Sequence, residues 1–349
     1  MRSLSILLLL SGFAGADELP AAKIAKDGDH LVFTAGTDVV AKYQFQGTVR
    51  VEKGEGTKPL AKPYFYPVHA PAGVPVTRAW PMERGTAGET TDHFHQKSVW
   101  FCHGDVIPEG IDLKTKAGDK HVKGVDFWSE FTGHGRIVAT AVGEPKQVSP
   151  GHAVVETANE WRTPDGVKIL DETRTIHFVT RPTGYLYVLE IDLHASACPV
   201  TFGDTKEGAM GVRVPDSVRL ANKDGGGIVT SSAGSTAKAP AKDNLAVWGE
   251  EADWHDYSGG PEGKVAGLAI FSDPKNPHRA AWHTRAYGLM AANPFGRAGS
   301  GFPSQKGKTD LVKLAKGDHL KLRYGVFAHT GDAATGKVAE AFQAFADGK

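Results

Sequence analysis

Short runs in which apolar and polar residues alternate dominate this chain, and this pattern is typical of half-buried β-strands. In Gly184–His194 the odd-numbered positions are aromatic or aliphatic, whereas Glu190, Asp192 and His194 fall on the opposite face. Similar patterns predict strands at Leu31–Ala35, Val39–Phe45, Thr48–Val51, Arg136–Val142, His152–Trp161, Lys168–Thr180, Gly227–Ser231, Val265–Ser272, Ala280–Leu289 and Leu320–His329.

One convincing helix is predicted, over Lys337–Phe345, because Val338, Ala341, Phe342 and Phe345 recur at helical spacing. Strands and helices do not alternate along the chain, so a parallel sheet is not expected. The 42 glycines and 20 prolines favour tight turns between short strands. The sequence therefore predicts an all-β fold, a large antiparallel β-sandwich with a short C-terminal helix.

The N-terminal residues have the features of a secretory signal. Arg2 precedes the apolar run Leu4–Leu10, and Ala14-Gly15-Ala16 supplies small residues for cleavage. We predict a signal peptide over residues 1–16, a single β-sandwich domain over residues 17–349, and export to the periplasm or the extracellular space. No later apolar run approaches the roughly 20 residues of a transmembrane helix, so no membrane span is predicted in the mature protein.

The charges of the chain are balanced, with 40 Lys and Arg against 40 Asp and Glu. This balance argues against a nucleic acid or an anionic membrane surface as the partner. The chain has two cysteines, Cys102 and Cys198, which are compatible with one disulfide or with two buried thiols.

The residues from Thr91 to Asp126 are unusually rich in chemically active side chains for a predicted strand. His93 and His95 would point the same way on an extended backbone, as in a metal site or an acid–base pair. His103 lies ten steps of about 3.3 Å further on, so it can join them only if the chain turns, most simply near Gln96–Ser98. The alternative is that these histidines are structural.

Two later segments add polar candidates. His283, Arg285 and Tyr287 would alternate onto one face of a strand and suit a polyhydroxylated ligand, or the face carries a cross-strand ion pair. The loop Gly203–Gly208 contains acids that suit glycosidic chemistry, or it is an ordinary charged turn. Glu172 and Arg174 are interpreted as a structural ion pair. The motifs of serine hydrolases, P-loop proteins, dinucleotide-binding proteins and zinc proteases are absent.

Several motifs in the same order resemble a known family: KPYFYPVHAPAGVPVTRAWP, DHFHQKSVWFCHGDV, GDTKEGAMGVRV and NPHRAAWHTRAYGLMAANPFG. Over Lys62–Asp332 the chain resembles the secreted bacterial proteins labelled the PmoA family, a domain of unknown function. The common family version of the second motif reads DHPHHRGLWFAHGDV, so Phe94 replaces proline and Gln96-Lys97-Ser98 replaces His-Arg-Gly. The resemblance implies a supersandwich similar to galactose-mutarotase-like proteins. A methane monooxygenase is excluded, because its subunit needs several membrane spans.

We therefore predict an exported carbohydrate-active protein, a hydrolase, lyase or epimerase that acts on a sugar or glycan through a site lined by His, Glu and Arg. The predicted catalytic residues are His93, His95, His103, Glu207 and His283. The predicted substrate-binding residues are Asp105, Asp126, Trp128, Asp204, Lys206, Arg213, Arg285, Tyr287 and Asn293. No cofactor is predicted. The alternatives are a non-catalytic glycan-binding or envelope assembly module, and an enzyme with a divalent metal on His93 and His95.

Overall fold

The strands of this chain are short and numerous. The computed structural model describes residues 19–221, 226–243, 245–260 and 264–349, and the predicted signal peptide, residues 1–16, lies outside the described residues. In chain order the strands are β1 (Ala22–Asp27), β2 (His30–Ala35), β3 (Asp38–Gln44), β4 (Thr48–Arg50), β5 (Thr57–Pro59), β6 (Tyr64–Ala70), β7 (Val74–Pro75), β8 (Val99–His103), β9 (Val106–Pro108), β10 (Arg136–Val142), β11 (Lys146–Ser149), β12 (His152–Arg162), β13 (Lys168–Arg181), β14 (Gly184–His194), β15 (Val200–Phe202), β16 (Gly208–Arg213), β17 (Ile228–Ser231), β18 (Thr236–Lys238), β19 (Trp254–Gly259), β20 (Ala266–Ser272), β21 (Ala281–Trp282), β22 (Leu289–Asn293), β23 (Val312–Leu314) and β24 (His319–Thr330). The helix α1 spans Val338–Ala346, and three 3-10 helices span Pro71–Gly73, Ala298–Ser300 and Pro303–Gln305.

Most strands belong to two large sheets. The nine-stranded sheet has the order β1-β2-β3-β6-β8-β16-β22-β21, with β7 beside β6. The ten-stranded sheet has the order β10-β12-β13-β14-β24-β20-β19-β17-β18, with β11 beside β12. Neighbouring strands run antiparallel in both sheets. A three-stranded sheet (β23-β15-β9) and the hairpin β4-β5 complete the pairing in the described residues.

Aromatic side chains join the inner faces of the two large sheets. The Phe33 ring on β2 lies 5.6 Å from the rings of Phe178 on β13 and Tyr187 on β14, measured between centroids. The Phe65 ring on β6 lies 5.5 Å from that of Tyr187. Buried aromatic area of this kind is the main apolar contribution to a sandwich core. The predicted antiparallel β-sandwich is confirmed.

The short C-terminal helix is also confirmed, and it covers the outer face of the ten-stranded sheet. Its Val338 and Phe345 are fully buried with Leu186, Val188 and other apolar residues of β14, β20 and β24. This packing explains why both faces of β14 are apolar in its first half. Buried and exposed residues alternate along β14 only where the helix no longer covers the strand, so Glu190 is exposed and Ile191 is buried.

Two sequence predictions about strands are wrong. The predicted strand Ala280–Leu289 is divided into β21 and β22 by a turn in which the backbone N–H of Gly288 donates to the carbonyl of Arg285, at 3.1 Å. Hence His283, Arg285 and Tyr287 do not alternate along one strand. The predicted extension of β8 toward Thr91 is replaced by a turn, described below.

The interior also contains polar groups and thiols. Glu172 and Arg174 form a buried ion pair with 2.6 Å between Arg174 Nη2 and Glu172 Oε1, and Glu172 also accepts a hydrogen bond from Trp161 Nε1 at 2.7 Å. These contacts lie within the core and agree with the structural interpretation of this pair. Cys102 and Cys198 are both free and buried, so they do not form a disulfide.

Candidate functional site

A polar cavity of about 520 Å³ is formed by segments that are far apart in the sequence. Nine of the fourteen residues predicted for the site line it: His93, His95, Asp105, Asp126, Trp128, Asp204, Lys206, Glu207 and Tyr287. Its other lining residues are Gln96, Gly104, Asp119, His121, Val122, Ser129, Phe131, Thr205, Gly299 and Ser300. The remaining predicted residues, His103, Arg213, His283, Arg285 and Asn293, do not line it.

A tight turn before β8 brings the first two histidines to the cavity. The backbone N–H of Gln96 donates to the carbonyl of His93 at 2.9 Å, and His93 and Ser98 have left-handed φ values of 44° and 57°. The prediction that His93 and His95 share one face of an extended strand is therefore wrong. Both nevertheless line the cavity, with ring centroids 5.8 Å apart. Left-handed φ at a non-glycine residue costs energy and is frequent at functional sites.

Two buried arginines fix the residue next to His93. Asp92 Oδ1 lies 2.5 Å from Arg78 Nη1 and 2.8 Å from Arg213 Nη2, and Asp92 Oδ2 lies 3.3 Å from His93 Nδ1. Burial alone would raise the pKa of Asp92, but the contacts with His93 and the two arginines hold it well below the usual range. Asp92 is thus a carboxylate that orients the His93 imidazole.

The His93 ring is also held from its face. It stacks on Tyr287 with centroids 4.7 Å apart and 11° between the planes. The guanidinium carbon of Arg213 lies 4.7 Å from the same Tyr287 ring, a cation–π distance. Burial raises the pKa of Tyr287 to about 12. Arg213 therefore supports the site without lining it, through both Asp92 and Tyr287.

His95 has a drier environment than His93. Its side chain is buried, and its ring lies 5.7 Å from the ring of Phe131. Burial, with a further contribution from Lys62, holds the pKa of His95 well below 6.5, so its imidazole is neutral at pH 7.

The loop before β16 brings Glu207 to the cavity. Its side chain is 31% exposed, and its carboxylate lies 3.2 Å from Lys206 Nζ and 3.8 Å from His283 Nδ1. His283 Nδ1 also lies 2.9 Å from the carbonyl of Lys206, and Asn293 Nδ2 donates to the carbonyl of Thr205 at 2.9 Å. His283 and Asn293 therefore hold the Glu207 loop from behind. Burial lowers the pKa of His283 to about 4.

Four aspartates line the cavity. Three of them, Asp105, Asp126 and Asp204, are each bound by at least two backbone N–H groups, and the exposed Asp119 accepts one hydrogen bond, from the N–H of His121 at 2.8 Å. Asp204 accepts hydrogen bonds from the N–H groups of Arg297, Gly299 and Ser300, at 2.5–2.9 Å. Asp126 accepts from the N–H groups of Trp128 and Ser129, at 2.8 and 3.0 Å, and Asp105 accepts from those of Lys123 and Gly124, at 3.1 and 2.7 Å. Burial raises the pKa of Asp126 to about 6. These hydrogen bonds give the three carboxylates a structural role in the cavity wall.

His103 is fully buried beside the cavity. Its Nε2 lies 2.9 Å from the carbonyl of Gly203, and burial lowers its pKa to about 4. A Cβ on Gly208 would lie 2.4 Å from His103 Nδ1, so glycine is needed there for the close approach. Like His283, His103 supports the Glu207 loop and does not reach the cavity.

Arg285 does not line the cavity, and its side chain contacts Asp243 and Trp248 instead. Its guanidinium forms an ion pair with Asp243 and lies 5.2 Å from the ring centroid of Trp248. Its distance to the Tyr287 ring centroid is 5.4 Å, so it packs behind that residue.

Several lining residues are not among those predicted from the sequence. Gln96 lies within the quoted DHFHQ motif. Asp92, which orients His93 without lining the cavity, lies in the same motif, and an acid beside a histidine is a signal that was available there. Phe131 is 57% exposed, lines the cavity and contacts the ring of His95. It follows a segment with no strand pattern, so no periodicity pointed to it. Asp119 and His121 come from the same irregular segment.

The described residues contain no group of three or more His, Cys, Asp and Glu side chains arranged to hold a metal ion. The His-x-His pair therefore lacks a third ligand there. Among the same residues, no helix has the length and apolar character that crossing a bilayer requires.

Two solved structures illustrate the similarity of the chain to known folds. A galactose mutarotase-like protein from Lactobacillus casei is 9% identical, with a TM-score of 0.38 and coverage of 88% of this chain and 100% of that chain. The galactosidase domain of alpha-galactosidase-sucrose kinase is 6% identical, with a TM-score of 0.39, and the alignment covers 88% of this chain but 42% of that one. At these values the similarity carries no argument about activity.

Sequence comparison identifies the family. No curated protein matches the chain. The model of DUF6807, described as a family of unknown function, matches residues 30–343, which include all the motifs that resemble the PmoA family. Because this match covers most of the chain, the protein belongs to the DUF6807 family.

Proposed function

We propose that the polar cavity binds a sugar or glycan and that the protein is an exported, sugar-acting enzyme that uses acid–base groups. The observation that carries the proposal is the combination, in one cavity, of an exposed aromatic ring with hydrogen-bonding and acid–base side chains. Export is proposed from the N-terminal sequence alone.

Phe131 supports a sugar as the ligand. Its ring is 57% exposed to water beside a cavity whose other lining is mostly polar. An exposed aromatic ring gains free energy when an apolar surface covers it, and a sugar ring has an apolar C–H face together with hydroxyl edges. Gln96, Thr205 and Ser300 line the same cavity and offer polar partners for hydroxyl groups.

His93 and Glu207 are the acid–base groups that we assign to the reaction. Asp92 faces His93 Nδ1, which favours the tautomer with a proton on Nδ1 and leaves Nε2 to accept a proton from the substrate. Glu207 contacts side chains, Lys206 and His283, whereas the lining aspartates are bound by backbone N–H groups. Glu207 is therefore the lining carboxylate that is best placed to exchange a proton or contact a substrate hydroxyl.

The environment of the carboxylates favours epimerase or lyase chemistry over hydrolysis. Glycoside hydrolysis commonly uses two carboxylic groups on either side of the bond. In this cavity Asp105, Asp126 and Asp204 each accept hydrogen bonds from at least two backbone N–H groups, and Asp119 accepts one from that of His121, so all four aspartates of the described lining are already engaged. Proton transfer between a histidine and a glutamate requires one carboxylate only.

The experiment is a screen of neutral mono- and oligosaccharides, followed by proton NMR in D₂O, which detects anomeric interconversion, C–H exchange, elimination and hydrolysis together. Glu207→Gln and His93→Gln should each lower kcat for an active sugar by about 10²-fold or more. His278→Gln, in a loop outside the cavity, is the matched control and should retain full activity. Unchanged kcat in both site variants would refute the assignment.

A non-catalytic glycan-binding module is the second candidate. The hydrogen bonds from backbone N–H groups to the lining aspartates favour this candidate. Carboxylates held in this way can accept hydrogen bonds from sugar hydroxyls without exchanging protons. Saturable sugar binding that depends on Phe131 and occurs without any new product in the NMR screen would select this candidate.

A further inference from the structure

The turn that carries His93 and His95 separates two cavities. The second cavity has a volume of about 290 Å³ and is lined by Thr48, Val49, Arg50, Thr57, Tyr64, Pro81, Met82, Phe94 and Lys97. Within the turn, Phe94 and Lys97 line this second cavity, whereas His93, His95 and Gln96 line the larger one. The two cavities therefore share a wall.

A cluster of three lysines around one carboxylate lies in that wall. Glu130 Oε1 lies 3.3 Å from Lys62 Nζ and forms a shorter ion pair with Lys97, and Glu130 Oε2 lies 3.2 Å from Lys58 Nζ. The side chains of Lys62, Lys97 and Glu130 are 1–2% exposed, and that of Lys58 is 27% exposed. Three ammonium groups and one carboxylate give this lysine cluster a formal charge of +2.

The ammonium groups of Lys62 and Lys97 are buried and that of Lys58 is partly exposed, and buried positive charge is costly unless an anion compensates it. Glu130 contacts all three lysines, and the carboxylate of Asp126 also interacts with Lys62. Burial and the neighbouring Lys62 lower the pKa of Lys97 to about 8, although Glu130 acts in the opposite direction. The ammonium of Lys97 also lies 4.5 Å from the Phe94 ring centroid, and that of Lys58 lies 5.2 Å from it. The cavity thus has a positively charged end, at Lys97, beside the Phe94 ring.

We propose that this second cavity is a binding site for a small oxyanion, held by Lys97 and Arg50 with the hydroxyl groups of Thr48 and Thr57. Arg50 offers planar donors that suit an oxyanion, and both threonines line the cavity. A bound oxyanion would compensate the lysine cluster and stabilise the turn that presents His93 and His95. The proposal does not rest on the sugar-acting function.

The test is calorimetric titration of the full chain with sodium sulfate, which does not change its own protonation between pH 7 and pH 9. We expect saturable binding at pH 7, at least about 10-fold weaker in Lys97→Met and several-fold weaker in Arg50→Gln. Lys146→Met, an exposed lysine on β11, is the matched control and should bind as the wild type does.

The pH dependence gives a second readout. Lys97 loses its proton as the pH rises through about 8, so sulfate should bind more weakly at pH 9 than at pH 7. Lys97→Met should bind equally weakly at both values. The charged and titratable groups that face Lys97 are Arg50, Lys58, Lys62, Tyr64, His95 and Glu130.

Two results would overturn the proposal. Absence of saturable sulfate binding to the wild type at millimolar concentration overturns the proposal, and so does wild-type affinity in both Lys97→Met and Arg50→Gln. Since Arg50 is exposed, Arg50→Gln decides alone if Lys97→Met fails to fold. Parallel titration with acetate distinguishes the class of oxyanion. Acetate binding with the same variant dependence indicates a site that accepts carboxylates, whereas sulfate binding without acetate binding indicates a site for tetrahedral oxyanions.

Discussion

The carboxylate of Asp92 lies 3.3 Å from Nδ1 of His93, and the same carboxylate contacts the buried guanidinium groups of Arg78 and Arg213. This chain of contacts connects the interior of the nine-stranded sheet to the cavity. It fixes both the position and the tautomer of an imidazole that is 37% exposed. An exposed histidine without such support would sample several rotamers.

The Asp92 contact should control the rate of the reaction more than the binding of the substrate. We expect Asp92→Asn to lower kcat by about 10-fold or more with little change in KM, because the imidazole loses its preferred tautomer. The measurement is steady-state kinetics on an active sugar across the pH range. Asp112→Asn, at an exposed position, is the control, and a change confined to KM would contradict the role.

Phe131 should contribute to sugar affinity with little effect on stability. Phe131→Ala should raise the Kd of a bound sugar by about 5-fold, because stacking on an aromatic ring contributes about 1 kcal/mol. The urea midpoint should stay close to that of the wild type, since the ring is 57% exposed. Val148→Ala, also 57% exposed, is the control for removing a surface apolar group. Unaltered affinity of Phe131→Ala for the sugar would show that Phe131 does not contact the ligand.

The buried histidines should make the fold sensitive to mild acid. Burial lowers the pKa of His103 from 6.5 to about 4, so between these values the unfolded chain binds more protons than the folded one. Stability conferred by the neutral ring is therefore present above pH 6.5 and is lost as the pH falls toward 4. Each such histidine contributes a slope of up to about 1.4 kcal/mol per pH unit.

Urea unfolding of the wild type and His103→Gln at several pH values between 4 and 7 measures this slope. Glutamine keeps a donor for the carbonyl of Gly203 but cannot be protonated, so the variant should show a shallower loss of stability. His121→Gln, at an exposed position, should keep the wild-type slope. Equal slopes in all three proteins would contradict the buried neutral state of His103.

Two glycines should be essential to the shape of the Glu207 loop. A Cβ at Gly203 would lie 2.1 Å from Asp105 Oδ2, and one at Gly208 would lie 2.4 Å from His103 Nδ1. Gly203→Ala and Gly208→Ala should each lower the free energy of unfolding by about 1–3 kcal/mol, as overpacking does. Gly118→Ala is the control, because its Cβ would meet Thr132 O at 3.6 Å. Chemical denaturation gives the comparison.

Local pattern was sufficient to predict the long strands of the sandwich, whereas short strands such as β1, β16 and β19 were not predicted. Strands such as β12, β13 and β24 are long and half-buried, so alternation appears directly in their sequence. The prediction was wrong at Ala280–Leu289, where the alternation of polar and apolar residues continues through a turn at Arg285–Gly288. This turn forms because β21 pairs with β22. The local sequence pattern carries no information about that pairing.

The types of residue in the candidate site could be predicted from the sequence. Their individual roles could be predicted much less well. His93, His95 and Glu207 come from motifs with an excess of polar groups, and the structure brings them to one cavity. His103 comes from the same motif as His93 and His95, and His283 comes from another polar motif, but both side chains are buried behind the Glu207 loop. Which face of a loop reaches a cavity is decided by contacts distant in sequence, such as that between Asn293 and Thr205.

The two thiols have a practical consequence for spectroscopy. Cys102 is fully buried with a pKa raised by burial to about 12, and Cys198 is 6% exposed with its pKa also raised by burial, so both are poor targets for maleimide reagents. A single cysteine introduced by Phe131→Cys would then be labelled selectively at the cavity opening without removing either native thiol. A fluorophore at that position would report changes at the cavity opening in the folded chain, with a proposed ligand expected to bind more weakly because the Phe131 ring is absent.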